Sequence, residues 1–295
     1  MPDSNSFSPA NTLALYNPTS GRGEAQQRAG ILVQHLLSAG YHVVQTHTIS
    51  RDETCLSRVG SDWQSLICIG GDGTLFQAIT KISSSAAIAF YPSGTINLFA
   101  RSLSLPCSVD AWLHMLCEGV TRDVYFGLAN GRSFVSVGSV GFDARVVARV
   151  SLRLKSWIHE GAYGVQAIRE LLRYNFPPCN VFIDGRKIEG KILGVIVGKG
   201  PYFAGRHPIL PAASQSIPRL SVAVLHGERR RCLVRYAYGL VRGHLGQMDG
   251  VKMYSAEQVV VEGSGETDVE LDGEPFGFTP VTFTVEPVPR KVLAP

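Results

Sequence analysis

The sequence predicts an α/β N-terminal domain, a parallel sheet with helices on both faces, followed by a β-rich, sandwich-like C-terminal domain. Three observations carry that expectation. Short apolar runs alternate with helix-period segments through about the first 120 residues, and from about Arg122 the texture turns strand-rich. An apolar run, Leu66-Ile67-Cys68-Ile69, also ends abruptly in Gly70-Gly71-Asp72-Gly73-Thr74, three glycines around one carboxylate and one hydroxyl. The domains are set at 10–125 and 126–295, with the last residues free to return to the first. The active site is expected in the interdomain cleft.

Taken in order, Thr12–Tyr16 is a short apolar strand, and Glu24–Ser38 carries Ala25, Ala29, Leu32, Val33, Leu36 and Leu37 at helical spacing before Gly40, a natural C′ residue. Residues 41–46 read as the second strand; Ser50 and Glu53 form a capping box opening another helix; 65–69 is the third strand. The glycine turn leads to a helix over 75–82, then a strand over 86–91, the loop Pro92-Ser93-Gly94-Thr95, and helices over 97–102 and 108–118. Strands separated by helices imply a parallel sheet covered on both faces. Beyond it, 134–140, 180–183, 191–197, 220–225, 258–262, Asp268–Leu271 and Val281–Val285 read as β, with Asp184-Gly185 and Asp272-Gly273 as hairpin turns. Helical stretches interrupt at about 144–174 and at 231–245.

A chain of 295 residues, 45% hydrophobic and 18% charged, suits one large or two medium globular domains. Its net charge of +4 is too mild to argue for nucleic acid, and the basic residues are scattered except for Arg229-Arg230-Arg231. That run reads as a solvated helix start or as a contact with anionic lipid headgroups. Six cysteines form no C-x-x-C pair, which suits a reducing compartment without a structural metal. The N-terminus lacks a signal-peptide pattern, and no apolar run approaches the roughly 20 residues of a bilayer span. The expected location is cytoplasmic or peripheral at the inner face of the membrane.

The glycine turn is suited to phosphates. Glycine lets a triphosphate lie against main-chain N–H groups, and the following helix N-terminus favours anions. Neither G-x-x-x-x-G-K-[ST] nor G-x-G-x-x-G occurs, so phosphate chemistry here proceeds without a P-loop lysine. The plain alternative is a tight strand-to-helix turn.

Four segments in order then carry a resemblance: Asn17-Pro18-Thr19-Ser20-Gly21, Gly70-Gly71-Asp72-Gly73-Thr74, Gly94-Thr95-Ile96-Asn97-Leu98-Phe99-Ala100-Arg101 and Leu271-Asp272-Gly273-Glu274. Together they resemble the diacylglycerol kinase catalytic-domain family, which includes bacterial lipid kinases and sphingosine kinases. Ser139-Val140-Gly141-Phe142-Asp143-Ala144 and Gly200-Pro201-Tyr202-Phe203-Ala204-Gly205 look like later segments of the same family. The resemblance implies a nucleotide-binding first domain, shared with NAD kinases, and a lipid-substrate second domain. It implies transfer of the γ-phosphoryl of ATP to a diacylglycerol- or sphingoid-type hydroxyl, with Mg²⁺ carried on ATP. By the same resemblance Glu274 is the general base, and Asp72 holds Mg²⁺ or polarises the hydroxyl. Asn17, Ser20, Gly21, Thr46, Gly70, Gly71, Gly73, Thr74, Gly94, Thr95 and Asn97 border the nucleotide. Without the resemblance, Asp72 reads as a helix cap and Glu274 as an exposed acid beside a turn.

Several positions depart from the family pattern. Leu98 stands where aspartate is common, Phe76 and Gln77 replace polar and acidic residues, and Lys199 falls where asparagine is usual. Ile217 and Pro218 occupy the places of an Asp-Gly pair whose carboxylate binds a structural Mg²⁺ in bacterial members. Isoleucine offers no oxygen to a hard cation, so that accessory site is expected to be lost. Arg206 and His207 read as surface loop or as positive charge near a headgroup. The acceptor is unread: Trp157, Tyr163, Ile168, Leu171 and Leu172 suit a lipid slot or simply core. The expected partner is a lipid at a membrane surface, not nucleic acid; the oligomeric state stays open, a homodimer included. Two alternatives remain, a NAD kinase, which shares Gly-Gly-Asp-Gly, and a non-catalytic nucleotide- or lipid-binding regulatory module of the same fold.

Overall fold

The computed structural model describes residues 7–45, 63–80, 82, 85–149, 173–203, 207–263 and 265–295. They divide into two compact units, one of Met1–Phe126, Gln215–Ile217 and Pro287–Pro295, the other of Gly127–Ser214 and Pro218–Glu286.

The first unit contains β1 (Thr12–Tyr16), α1 (Glu24–Ser38), β2 (His42–Gln45), β3 (Ser65–Gly70), α2 (Asp72–Ile79), β4 (Ala87–Pro92), α3 (Leu98–Ser102), α4 (Val109–Glu118), β5 (Thr121–Val124) and, from the chain's end, β20 (Arg290–Leu293). Its sheet runs β2-β1-β3-β4-β20-β5. All neighbours are parallel except β5, which is antiparallel to β20. Leu13, Ala14 and Leu15 on β1 and Ile67, Cys68 and Ile69 on β3 are all buried. Successive strand residues point to opposite faces, so both faces of this sheet are covered, and that is why its strands read as unbroken apolar runs. Trp112 of α4 is fully buried and satisfies its indole by donating Nε1–H to the Phe90 carbonyl at 2.9 Å. Ser108 caps α4, its Oγ accepting from the Ala111 amide at 3.4 Å.

The second unit is antiparallel. It holds β6 (Gly127–Ala129), β7 (Arg132–Phe134), β8 (Val137–Gly141), α5 (Phe142–Arg149), β9 (Cys179–Ile183), β10 (Arg186–Lys187), β11 (Ile192–Gly198), β12 (Tyr202–Phe203), β13 (His207–Pro208), β14 (Leu220–His226), α6 (Arg230–Val241), β15 (Val251–Ala256), β16 (Val259–Gly263), β17 (Asp268–Leu271), β18 (Glu274–Phe278) and β19 (Val281–Val285). One sheet runs β10-β9-β16-β19-β6-β7, the other β15-β14-β11-β8-β17-β18. Phe283 of β19 lies against Gly138 of β8, where a Cβ would come within 2.8 Å of its ring. It also meets Phe134 edge-on with centroids 6.0 Å apart. These aromatics fill the space between the two sheets, as in a β-sandwich. Leu233 and Tyr236 of α6 close a second apolar cluster with Leu193, Ile196, Leu210 and Ala223. Each such burial contributes about 1.5–3 kcal/mol.

Three expectations are corrected. The helix after the glycine turn begins at Asp72, three residues earlier than its apolar periodicity suggests, because Gly71 takes the extended N-cap conformation (φ −99°, ψ −178°) and Gly73 is tolerated in the first turn. The single strand expected over 134–140 is two, β7 and β8, broken at Val135-Ser136, whose amides leave the ladder for the Asp272 carboxylate. The helix expected to reach residue 245 stops at Val241, ahead of Gly243 at φ 72°, and a short 3₁₀ turn, Leu245–Gln247, follows. The Ser50–Glu53 capping box, Thr46, Arg206 and the apolar residues from Trp157 to Leu172 lie outside the described residues.

Candidate active site

Three loops leave the carboxyl ends of β1, β3 and β4 and lock together. Asn17, 2% exposed, donates from Nδ2 to Thr74 Oγ1 at 3.1 Å, while its Oδ1 accepts from the Thr19 amide at 3.0 Å and the Thr19 hydroxyl at 2.8 Å. Gly21 turns the first loop at φ 78°, and a Cβ there would stand 1.9 Å from the Ser93 carbonyl oxygen. Gly71 and Gly94 meet backbone to backbone: a Cβ on Gly94 would lie 2.6 Å from the Gly71 Cα, and one on Gly71 would lie 3.3 Å from Ser20 Oγ. Gly70 is equally crowded, by the Thr74 side chain at 2.6 Å. Gly70 is therefore required by Thr74 of its own turn, Gly21 and Gly94 are required by contact between loops, and Gly71 is tight without being excluded. Gly73 differs, with nothing within 4 Å of its would-be Cβ, and Thr95 is exposed. Thr74, expected to present its hydroxyl, is buried, and that hydroxyl is taken by Asn17.

Asp72 has a definite task in this cluster. Its Oδ2 accepts from the Leu98 amide at 2.7 Å and its Oδ1 from the Phe99 amide at 3.1 Å. The carboxylate thus caps α3, a neighbour across the sheet rather than its own helix, and satisfies two of the amides a helix start leaves unpaired. Burial pushes its pKa up, against the pull of those two amides. What Leu98 contributes to this contact is its backbone amide, not its side chain. Asn97, held left-handed at φ 53°, donates from Nδ2 to the Gly94 carbonyl at 2.7 Å. Its Oδ1 and the neighbouring Ser93 Oγ are buried without a protein partner. Two unsatisfied oxygens at the tip of a parallel sheet, beside an open glycine, fit a site for a polar ligand. Ser93 was not singled out from the sequence, where one serine before a glycine carries no signal.

In the second unit Asp272 and Gly273 are both left-handed (φ 50° and 81°), the geometry of a two-residue hairpin between β17 and β18. Asp272 folds back into the β7–β8 break. Its Oδ2 accepts from the Val135 amide at 2.6 Å, and its Oδ1 from the Ser136 and Val137 amides at 2.8 and 3.0 Å. Glu274 opens β18 beside this pinned turn and is exposed. Glu270, one step before the turn, is buried; it accepts from Ser139 Oγ at 2.8 Å and from the Gly273 amide at 2.7 Å. Burial first, then the Asp143 carboxylate, pushes its pKa up to about 8. Asp143 is raised as well, by burial, and its Oδ2 has no hydrogen-bond partner. Sequence reasoning missed the Glu270–Ser139–Asp143 cluster, because alternation within a strand does not say which acid faces the core.

Position 217 fails the test for the accessory cation. Ile217 is 44% exposed and brings no oxygen. Lys199, fully buried, donates Nζ–H to the carbonyls of Ser214 and Arg219 at 3.0 and 2.9 Å, so the carbonyls flanking that position already hold a positive charge. Burial pushes its pKa down to about 8. Among the described residues no three His, Cys, Asp or Glu side chains gather to hold a metal.

Comparison with known proteins agrees with this architecture. Residues 11–129 match the diacylglycerol kinase catalytic domain, and 136–294 match the YegS C-terminal NAD kinase beta sandwich-like domain. A diacylglycerol kinase of Bacillus subtilis is 25% identical over 277 residues, 91% of each chain. A probable lipid kinase YegS-like of Pseudomonas aeruginosa is 28% identical over 244 residues, 80% of this chain and 78% of that one. Among solved structures, a putative diacylglycerol kinase from Bacillus anthracis shares the fold over 97% of both chains, with a TM-score of 0.75 and 21% identity. An NAD kinase from Archaeoglobus fulgidus in complex with ATP is more distant, at 0.52 and 13%.

Proposed function

The chain belongs to the diacylglycerol kinase family of lipid kinases, phosphotransferases with an alcohol acceptor, and from that premise we propose how its own residues divide the reaction. The observation that carries the proposal is the interlocked cluster at the ends of β1, β3 and β4, with the N-terminus of α2 behind it. Helix N-termini and close backbone favour phosphate. In this reading the triphosphate of ATP rests on the open side of the cluster, against Gly73 and Thr95, with Ser93 Oγ and Asn97 Oδ1 completed by the bound nucleotide and its waters. Asn17, Ser20, Gly21, Gly70, Gly71, Thr74 and Gly94 hold that surface in shape. Asp72 is a positioning residue, since both of its oxygens serve α3.

Mg²⁺ arriving with ATP would supply neutralisation of the charge on the transferred group, with no protein ligand assigned to it. Glu274, exposed beside the pinned turn, is assigned the general base. The acceptor hydroxyl attacks the γ-phosphorus, the bond to the β–γ bridging oxygen breaks, ADP leaves, and the hydroxyl proton passes to Glu274. The acceptor class is a lipid alcohol of the diacylglycerol or sphingoid type.

The test is transfer of γ-³²P from ATP to diacylglycerol, sphingosine, ceramide and NAD presented separately, the lipids in mixed micelles. Label in a lipid alcohol is expected, and Glu274→Gln should retain ATP binding while losing about 10²–10⁴-fold in turnover. Label in NAD alone would establish the NAD kinase instead. Measurable ATP binding with no label in any acceptor would favour a non-catalytic module, and an unimpaired Glu274→Gln would remove the base.

A further inference from the structure

The helix α6 carries a feature that neither its packing nor the reaction uses. Its inner face, Leu233, Tyr236 and Gly239, is buried against the second unit. Its outer face is apolar too. Val234, Tyr238 and Val241, at the i, i+4, i+7 spacing of one helix face, are 53%, 54% and 70% exposed. A row of arginines runs beside them, Arg231, Arg235 and Arg242, again at same-face spacing. The Arg242 guanidinium stacks over the Tyr238 ring at 5.1 Å, and Arg235 donates to the Asp249 carbonyl.

Two further facts give this face a direction. Residues 229–242 contain five arginines and no acid, whereas the whole chain nets only +4, which leaves −1 for all the rest. This one element therefore carries a local positive excess larger than the net charge of the whole chain. Moreover, Arg229, Arg230 and Arg231 sit at the helix N-terminus, with no acidic residue in the first turn. The macrodipole there favours anions and works against cations, so the arrangement opposes helix stability. Arginines placed against the dipole beside an exposed apolar row suit an external anionic surface with an apolar layer beneath it.

The geometry points to α6 as the element that docks the protein on an anionic bilayer. It lies in the interface, with Val234 and Val241 entering the acyl boundary, Tyr238 at headgroup level and the arginines on lipid phosphates. Among the described residues no helix is long and apolar enough to cross a membrane, so the attachment is peripheral. The inference deepens the lipid-kinase reading, since it says how the enzyme reaches a lipid acceptor, but vesicle binding can be measured without ATP or turnover.

The experiment is cosedimentation with phosphatidylglycerol–phosphatidylcholine vesicles and with pure phosphatidylcholine vesicles. It compares the parent, Arg231→Gln/Arg242→Gln and Val234→Ser/Val241→Ser. The parent should prefer the anionic vesicles and release them as salt rises. Each arginine near an anionic surface is worth about 1 kcal/mol, so the arginine pair should weaken anionic-vesicle binding roughly 30-fold. The valine pair should weaken it at least tenfold, and as all four side chains are surface-exposed, both variants should melt like the parent. Equal binding of parent and variants, no preference for anionic lipid, or a change in the dimer–monomer balance with vesicle binding intact would overturn the docking role. The last result would make the face a contact between copies of the chain. Vesicle binding through α6 without phosphoryl transfer would sink only the kinase reading. Transfer to lipid by variants that still sediment like the parent would sink only the docking.

Discussion

Replacing Glu270 with glutamine should change how stability depends on pH. Glu270 is buried, faces the Asp143 and Asp272 carboxylates, and has its pKa pushed from the ordinary 4.5 to about 8. Between those two values the folded chain binds a proton that the unfolded chain has released. Stability contributed by this group is therefore complete below about 4.5, falls as pH rises, and is gone above about 8. The slope is about 1.4 kcal/mol per pH unit, on the order of 5 kcal/mol across the window as an upper bound. Glutamine is neutral throughout; its Oε1 can accept from the Gly273 amide while its amide group donates to Ser139 Oγ. Urea unfolding of parent and Glu270→Gln at pH 5, 6, 7 and 8 measures the difference directly. The variant should gain on the parent steadily with pH, by about 1 kcal/mol or more per unit. Parallel curves would refute the reasoning and mean that Glu270 is already ionised inside the sandwich.

Three further substitutions probe the first unit and the altered segment. A Cβ at Gly94 would lie 2.6 Å from both the Gly71 Cα and Asn97 Oδ1, so Gly94→Ala should destabilise by about 1–3 kcal/mol and weaken ATP binding together. Gly73→Ala meets no neighbour, so it should melt like the parent or higher while still losing ATP affinity; thermal melts with nucleotide titration separate the two patterns. Lys199→Met removes the ammonium from the Ser214 and Arg219 carbonyls, and leaving both unpaired should cost about 2–4 kcal/mol in chemical denaturation. A neutral effect would mean that water takes the place of the ammonium.

The first unit was legible because its strands are buried on both faces, and continuous apolar runs such as Leu66 to Ile69 have few other uses. Thr12–Tyr16, Glu24–Ser38, Asp268–Leu271 and Val281–Val285 fall where periodicity puts them. The losses have physical causes. β15 (Val251–Ala256) and β18 (Glu274–Phe278) are half-exposed edge strands whose sequences, VKMYSA and EPFGF, show little alternation. β20 contributes a pairing that no local pattern announces, because its partners β4 and β5 are distant in sequence. At the site, Asn17, Gly71, Thr74 and Gly94 were all legible as motif members, but the pairings of Asn17 with Thr74 and of Gly71 with Gly94 were not. A contact between two loop tips leaves no periodic trace.

The glycine turn changes meaning once those contacts are seen. Gly21, Gly70 and Gly94 are each filled by protein at distances that exclude a side chain, Gly71 is tight with neighbours at 3.3 Å, and Gly73 alone of the site glycines faces open space. A loop whose glycines all awaited phosphate would be mobile until nucleotide arrived. One whose glycines are packed against protein is held in shape before any ligand arrives, and for the proposed nucleotide such preorganisation would let electrostatic stabilisation act without reorganisation. Asp72 fits the same logic. By capping α3 from the start of α2, it ties the β3 loop to the β4 loop through backbone amides, so a change at residue 72 would be felt at Asn97 and Ser93. The carboxylate that stood out first in the sequence thus works on the geometry of the loop cluster, and under the proposed division of roles the proton of the acceptor falls to Glu274, some 200 residues later.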